Sequence, residues 1–324
     1  MLIKKIQNSP DTLVDETLEG YHRLHPDEFD IIPGTRGIIR TEKERKEKGK
    51  VKLVSGGGSG HEPGCFTMIG RGGYDLFVAG DVYAAPSWMQ MVRCIQAIDD
   101  GSPILYTVSN HAGDVLNANM AMEVLLSKGV NIRKVIHYDD ISTAPKGRES
   151  ERRGLLGALG RITGVAAERG CSLDEVERLD RKAVNNSRCY GFGFRSAIHP
   201  CTGMTIMEMP NDEIEMGIGM HGESSGKRIK MLKSEELSKI ISDIIIEDLD
   251  LIRGEEVAVL VNGLGGVTCM EYSIFYNDIY KYLTSLGIKI FSATAGNGAT
   301  TQELGGILVA FGRVDDEIKS FWQL

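Results

Sequence analysis

The sequence predicts an α/β fold: two α/β domains, each with a mixed sheet flanked by helices. Between residues 51 and 186, short apolar runs ending in Gly- or Asx-rich turns alternate with longer segments of helical periodicity. Near residue 187 the texture changes to alternating segments around Pro210-Asn211-Asp212, before strand and helix patterns return. A chain of 324 residues, 42% hydrophobic and 25% charged, is large enough for two domains and is not of disordered or fibrous composition. The domain boundary is placed at 187/188, giving domains 1–187 and 188–324.

Residues 11–25 follow Asn8-Ser9-Pro10 and read as an amphipathic helix. Val51 to Val54 reads as a strand feeding the glycine loop Ser55-Gly56-Gly57-Gly58-Ser59-Gly60, and Phe77 to Gly80 as a second strand. A helix over Ser87 to Asp99 rests on Met91, Cys94, Ile95 and Ile98. A strand over 103–108 runs into Asn110-His111-Ala112-Gly113-Asp114 and a helix over 115–128. A strand over 132–138 and helices over 155–169 and 173–186 complete the first half. In the second half, 204–209 and 213–220 are expected to pair antiparallel. Helices over 237–251 and 270–285 then alternate with strands over 256–261, 289–293 and 306–313.

The net charge of −8 gives no general basic field for nucleic acid. The basic run from Arg40 to Lys52 is interleaved with glutamates and reads as a solvated face or loop rather than a binding patch. Six cysteines without a C-x-x-C pair suit reduced thiols in the cytoplasm. No metal site is expected, because Pro63 and Gly64 break the His61-Glu62 segment before a second ligand can follow. No apolar run approaches the roughly 20 residues a membrane span needs, and the N-terminus has no leader pattern.

Four stretches are candidates for chemistry. Gly56-Gly57-Gly58-Ser59-Gly60-His61 leaves backbone N–H groups uncovered and ends on an imidazole, but it is neither a Walker A loop nor a dinucleotide fingerprint. A ligand loop and a tight structural turn are about equally supported there. Asp114, after a strand and before a helix, reads first as a helix N-cap and second as a catalytic carboxylate. His221 sits between small residues in Gly217-Ile218-Gly219-Met220-His221-Gly222-Glu223 and is therefore accessible. Asn262-Gly263-Leu264-Gly265-Gly266 reads as a strand-to-helix turn ahead of a phosphate cradle, and His22, His25, His137 and His199 as surface or packing residues.

Taken together, these motifs resemble the substrate-binding subunit of the dihydroxyacetone kinase family. Ser55 to Pro63 is similar to its signature loop, Asn110-x-x-Gly113-Asp114-Val115 to a second, Arg152-Arg153-Gly154 to a third, and the segments 217–223 and 261–266 to two more. The resemblance implies that His221 adds to a ketone carbon as a covalent hemiaminal. Asp114 and His61 would hold substrate hydroxyls, one of them taking the proton on phosphoryl transfer. Gly58, Ser59, Gly60 and Ser109 would complete the substrate contacts. ADP/ATP and Mg2+ would lie on a separate helical nucleotide-binding subunit, which in bacteria is often recharged by a phosphotransferase system. None would be bound by this chain, since the resemblance covers only the substrate-binding part. A homodimer is implied as well. Three places depart from the family pattern: Ser109 stands where a Lys is usual, His111 where a Tyr is usual, and Asn297-Gly298-Ala299-Thr300-Thr301 is an imperfect match to the usual Tyr-Met-Thr-Ser segment. A protonated His111 would partly replace the lost cation. Otherwise the substrate would be a four-carbon ketose such as erythrulose, or the chain a dihydroxyacetone-binding sensor without transfer.

Overall fold

The computed structural model describes residues 3–324. After α1 (Leu13–Leu24), the chain forms β1 (Asp30–Ile31), β2 (Gly37–Ile39), β3 (Lys52–Ser59), β4 (Leu76–Val82), β5 (Ile104–Ser109) and β6 (Ile132–His137). These make one six-stranded sheet in the order β1-β2-β4-β3-β5-β6. The last four strands in that order pair in parallel and the first two are antiparallel. A short helix, α2 (Gly64–Thr67), follows β3, while α3 (Trp88–Ile98) and α4 (Ala112–Ser127) are crossovers. Their Met91, Ile95 and Ala118 pack on Val54, Leu76 and Val78. Two further helices, α5 (Arg161–Glu168) and α6 (Leu173–Asn185), bring Ile162, Val176 and Leu179 against Leu53, Leu105 and Val135.

The second sheet starts at Ser187. It contains β7 (Ser187–Arg195), β10 (Glu213–Met216), β11 (Lys227–Lys230), β12 (Glu256–Gly263), β13 (Lys289–Gly296) and β14 (Gly305–Val314), in the order β11-β10-β7-β14-β12-β13. Only β12 and β13 are parallel. The ribbon β8 (Ala197–Ile198) and β9 (Thr205–Ile206) lies outside it. Two helices, α7 (Ser234–Leu249) and α8 (Cys269–Leu286), place Ile241, Ile245, Phe275 and Ile279 over Phe192, Ile214, Val259 and Phe311. Ala258 and Val314, with Ile318 of the last helix α9 (Asp316–Ser320), share a core cluster with α5 and α6, so those two helices join the sheets. The α/β class and the two mixed sheets are as the sequence predicts.

Four expectations need correction. The glycine run is strand rather than loop: β3 continues through it, with Gly56 opposite Val78 and Gly57 opposite Ala79. A Cβ on Gly58 would lie 2.8 Å from the Ala84 backbone nitrogen, so glycine there permits the close approach of the turn after β4. The helix expected from 155 begins only at Arg161, because the Leu155 N–H is taken by Asp139 Oδ1 at 2.6 Å. The segments around Pro210 do not pair with each other: β9 pairs with β8, and β10 lies between β11 and β7, where Ile214 and Met216 are buried. The basic run is a solvated face only in part: Lys43, Arg45 and Lys48 are exposed, but Arg40, Lys46 and Lys52 are buried. Arg40, 1% exposed, meets Asp75 at 3.0 Å and Glu168 at 2.9 Å, and buried Lys46 meets Asp75 at 2.8 Å. Among the described residues, no helix is long and apolar enough to cross a membrane.

Candidate functional site

The order β4-β3-β5 reverses the direction of chain progression at β3, so a crevice opens beyond the carboxyl ends of β3 and β5. Residue 61 follows β3, and Ser109, His111 and Asp114 follow one another from the end of β5 into α4. The turn between β10 and β11 brings His221 and Glu223 to the same place. Gly58, His61, Ser109, His111, Asp114 and His221 line one cavity of about 670 Å3, which His137, Tyr138 and Asp139 also line. Ser59 and Gly60 do not line it. They border a neighbouring cavity of about 290 Å3, and the buried Ser59 hydroxyl donates to Gly80 O at 2.8 Å.

The rings of His61 and His221 are 4.9 Å apart, and His111 lies 5.5 Å from His221. Tyr83, the residue after β4, stands 5.2 Å from His61 and 5.3 Å from His221. It holds a left-handed φ of 57° and so turns its ring back into the site. The His221 side chain is 26% exposed, open enough to be reached by a small molecule.

Hydrogen-bond partners fix the tautomers. Burial opposes ionisation of Glu223, but the hydrogen bond from His221 and the nearby Arg153 hold its carboxyl down at about 2. An ionised carboxylate only accepts, so His221 Nδ1, 3.0 Å away, donates and Nε2 keeps the lone pair. Glu223 also accepts the His221 backbone N–H at 2.9 Å, and Arg153 stands 3.8 Å from it while pairing with buried Asp140 at 2.8 Å. His61 Nδ1 donates to the Thr300 carbonyl at 2.6 Å, and burial together with the neighbouring His221 pushes its pKa down to about 4. His111 Nε2 donates to Gly154 O at 2.9 Å. Burial and His221 lower its pKa too, so it is neutral near pH 7 and does not replace a lysine cation. The His61 main chain is held in turn. Thr300 bonds to residues 61 and 62, and buried Asn262 accepts from Gly298 and Ala299 at 3.0 and 2.9 Å.

Asp114 is not a helix cap. The cap position of α4 is His111, and Asp114 stands in the first turn. Burial raises its carboxyl to about 6, against the pull of His221. The site therefore offers a nucleophilic imidazole nitrogen, a carboxylate tuned toward neutrality and a second imidazole acceptor. His111, His221 and Glu223 also place one potential metal donor atom each within 4.8 Å of the others. Neither Tyr83 nor Thr300 was singled out as a site residue from the sequence. Glu223 lay inside the segment around His221 without an assigned role, although its offset of two from a histidine was visible.

A two-sheet α/β protein with a histidine-lined crevice between its sheets is the class that fold and site define. The Dak1 domain matches residues 19–324, and the chain belongs to that family. It is 35% identical over 317 residues to the dihydroxyacetone-binding subunit DhaK of PTS-dependent dihydroxyacetone kinase 1 of Listeria innocua, covering 97% of this chain and 95% of that one. The solved structure of the dihydroxyacetone kinase operon co-activator Dha-DhaQ superposes with a TM-score of 0.87 at 25% identity, over 95% of both chains. The dihydroxyacetone kinase of C. freundii in complex with AMP-PNP and Mg2+ gives a TM-score of 0.85 at 27% identity, covering 99% of this chain and 59% of that one.

Proposed function

We propose that this chain is the ketose-binding subunit of a dihydroxyacetone kinase, capturing the ketone covalently on His221 and presenting a hydroxyl to a nucleotide-bearing partner subunit. The observation that carries the reading is the His221 ring. Its Nδ1 is committed to Glu223, which leaves Nε2 to a cavity shared with His61 and Asp114. In the capture step, the Nε2 lone pair forms a bond to the carbonyl carbon and the C=O π pair moves to oxygen. The proton lost from Nδ1 is matched by the one gained by the new hydroxyl, so the ring ends neutral. Glycerol has no electrophilic carbon and is left out. Asp114, the more basic of the two candidates, takes the proton of the attacking hydroxyl, while His61 Nε2 accepts a hydrogen bond from the substrate. Gly58 and Ser109 complete the wall. Ser59 and Gly60 act behind it, by seating β3 against the turn after β4.

The nucleotide and Mg2+ belong, in this reading, to a separate helical subunit, in keeping with the subunit name of the Listeria relative. The chain works as a cytoplasmic homodimer, residues 1–187 supplying His61 and Asp114 and residues 188–324 supplying His221. The test is intact-protein mass spectrometry with dihydroxyacetone. A mass gain equal to the whole ketone is expected, absent in His221→Ala and absent with glycerol. No adduct on the unaltered chain overturns the proposal.

A second reading is favoured by Ser109, which brings no charge to the end of β5, and by the likeness to a co-activator. In that case the chain binds the ketone without transfer. Purified chain, nucleotide-binding subunit and phosphoryl donor, incubated with dihydroxyacetone or erythrulose, distinguish the two. Phosphorylated ketose supports the kinase subunit. An adduct with no turnover on either ketose supports the sensor.

A further inference from the structure

Two imidazoles and a carboxylate converge at the rim of the cavity. One donor atom from each of His111, His221 and Glu223 lies within 4.8 Å of the other two, and His221 Nδ1 is already 3.0 Å from Glu223 Oε1. Ligand atoms around a four-coordinate zinc ion sit roughly 3.4 Å apart, so small side-chain rotations would close the group. We infer that His111, His221 and Glu223 form a site for a divalent transition-metal ion of the zinc type, and that this ion and the ketone exclude each other. The inference rests on the proposed role of His221 for its second half only.

Two imidazole nitrogens and one carboxylate match the borderline-soft donor preference of zinc, and three protein ligands are the number that leaves a fourth position for a small ligand. Both rings are held from outside the group or within it: His111 Nε2 is bonded to Gly154 O, which leaves Nδ1 as its donor, and His221 Nδ1 is bonded to Glu223. The opposing charge is Arg153, 3.8 Å from Glu223, and it is paired with Asp140 at 2.8 Å. Exclusion follows from valence. A neutral imidazole has one in-plane lone pair. If a metal takes it at Nε2, the nucleophile is gone. If a metal takes Nδ1, the ring proton sits on Nε2, with the same result. Metal binding would therefore switch off ketone capture without touching Asp114 or His61.

The test uses the full chain, stripped with a chelator and titrated with Zn2+ by calorimetry, with Co2+ absorption reporting coordination. Adduct formation with dihydroxyacetone is followed in parallel by mass spectrometry. With free Zn2+ at about ten times its Kd, the adduct fraction at sub-saturating ketone is expected to fall up to about tenfold and to return on adding chelator. His111→Phe is expected to weaken Zn2+ binding by at least about tenfold while the metal-free adduct persists, which also shows that the variant is folded. Cysteine-bound zinc would be unaffected by this change. Absence of saturable Zn2+ binding, equal binding by His111→Phe, or an undiminished adduct with Zn2+ bound each overturns the inference. An adduct missing even without metal would instead sink the ketone reading, and the Zn2+ and His111→Phe titrations would still decide whether the site exists.

Discussion

At the scale of single residues, the chemistry depends on which nitrogen of His221 carries the proton, and Glu223 decides that. Glu223→Gln keeps the shape but removes the anion, and its amide can turn to present N–H instead of oxygen. Ketone affinity is expected to fall about tenfold, in line with the loss of other partners that orient a ligand histidine. Calorimetric titration with dihydroxyacetone checks this, and an unchanged affinity would reduce Glu223 to shaping its turn through the His221 N–H. Asp114 makes a different prediction. With a carboxyl pushed up to about 6 by burial, its basic form dominates only above that pH. Phosphoryl transfer is therefore expected to rise with pH through about 6 and level off above 7, and Asp114→Asn is expected to lose most of the rate, about a hundredfold or more. A pH profile of kcat with the partner subunit reads it. A limb near 4 would point to His61 as the base instead. His61, Asp114 and His221 were visible in the sequence because each stands in a glycine-rich context that leaves a side chain uncovered. Tyr83 was not, because a left-handed φ on a tyrosine comes from the packing of the β4 turn and leaves no local pattern.

Among the elements, β3 shows how a strand can pass for a loop. Its glycines look like a ligand cradle, yet most of them are there for close packing. A Cβ on Gly56 would come within 3.0 Å of Val78 O, one on Gly58 within 2.8 Å of Ala84 N, and one on Gly60, at φ +95°, within 2.7 Å of the Tyr83 ring. At Gly57 the nearest atom is Phe77 Cζ at 3.6 Å. The pair of substitutions Gly57→Ala and Gly58→Ala therefore separates packing from ligand contact. Gly58→Ala is expected to cost about 1–3 kcal/mol, since a backbone cannot yield as a side-chain tip can, whereas Gly57→Ala is expected to lie within about 0.5 kcal/mol of the parent. Urea denaturation measures both, and equal effects would refute the packing account. The same cause hid β7, the second strand neighbour of β14. Its Gly191 and Gly193 admit Ile218 and Met207 at close range, and its terminal arginines broke the apolar pattern. Strands with one clean periodicity, such as β5, β6 and β12, were legible. Which strands they pair with was not, since pairing is settled by which faces are buried under the flanking helices, α3 to α6 on the first sheet and α7 and α8 on the second, rather than by anything local.

For the whole molecule, the question is what keeps the two sheets in the one arrangement that brings His221 to His61. Part of the answer is the segment 139–155, which leaves β6 and passes between the sheets. Fully buried Arg152 donates to both carboxylate oxygens of Asp248 near the end of α7, at 2.9 and 2.6 Å, and Arg188 of β7 reaches the same carboxylate at 2.5 Å. The neighbouring Arg153 holds Asp140 and faces Glu223, while the Arg152 carbonyl accepts from Asn110, one residue before His111, at 2.6 Å. One buried ion cluster is thus continuous with both walls of the crevice. Asp248→Ala leaves two guanidinium groups without their carboxylate, one of them wholly buried, and is expected to destabilise the chain by about 3–5 kcal/mol. It is also expected to weaken ketone binding, although Asp248 does not line the cavity. Replacing the pair together, Arg152→Met with Asp248→Leu, removes the wholly buried guanidinium along with its carboxylate, leaves only Arg188 without its partner, and is expected to recover part of that stability. Ketone affinity then decides what the ion pair is for. If the double variant is stable and binds ketone as the parent does, packing alone sets the relation of the sheets. If it is stable but binds weakly, the bidentate geometry of Arg152 is what holds residues 110, 153 and 223 in place around His221.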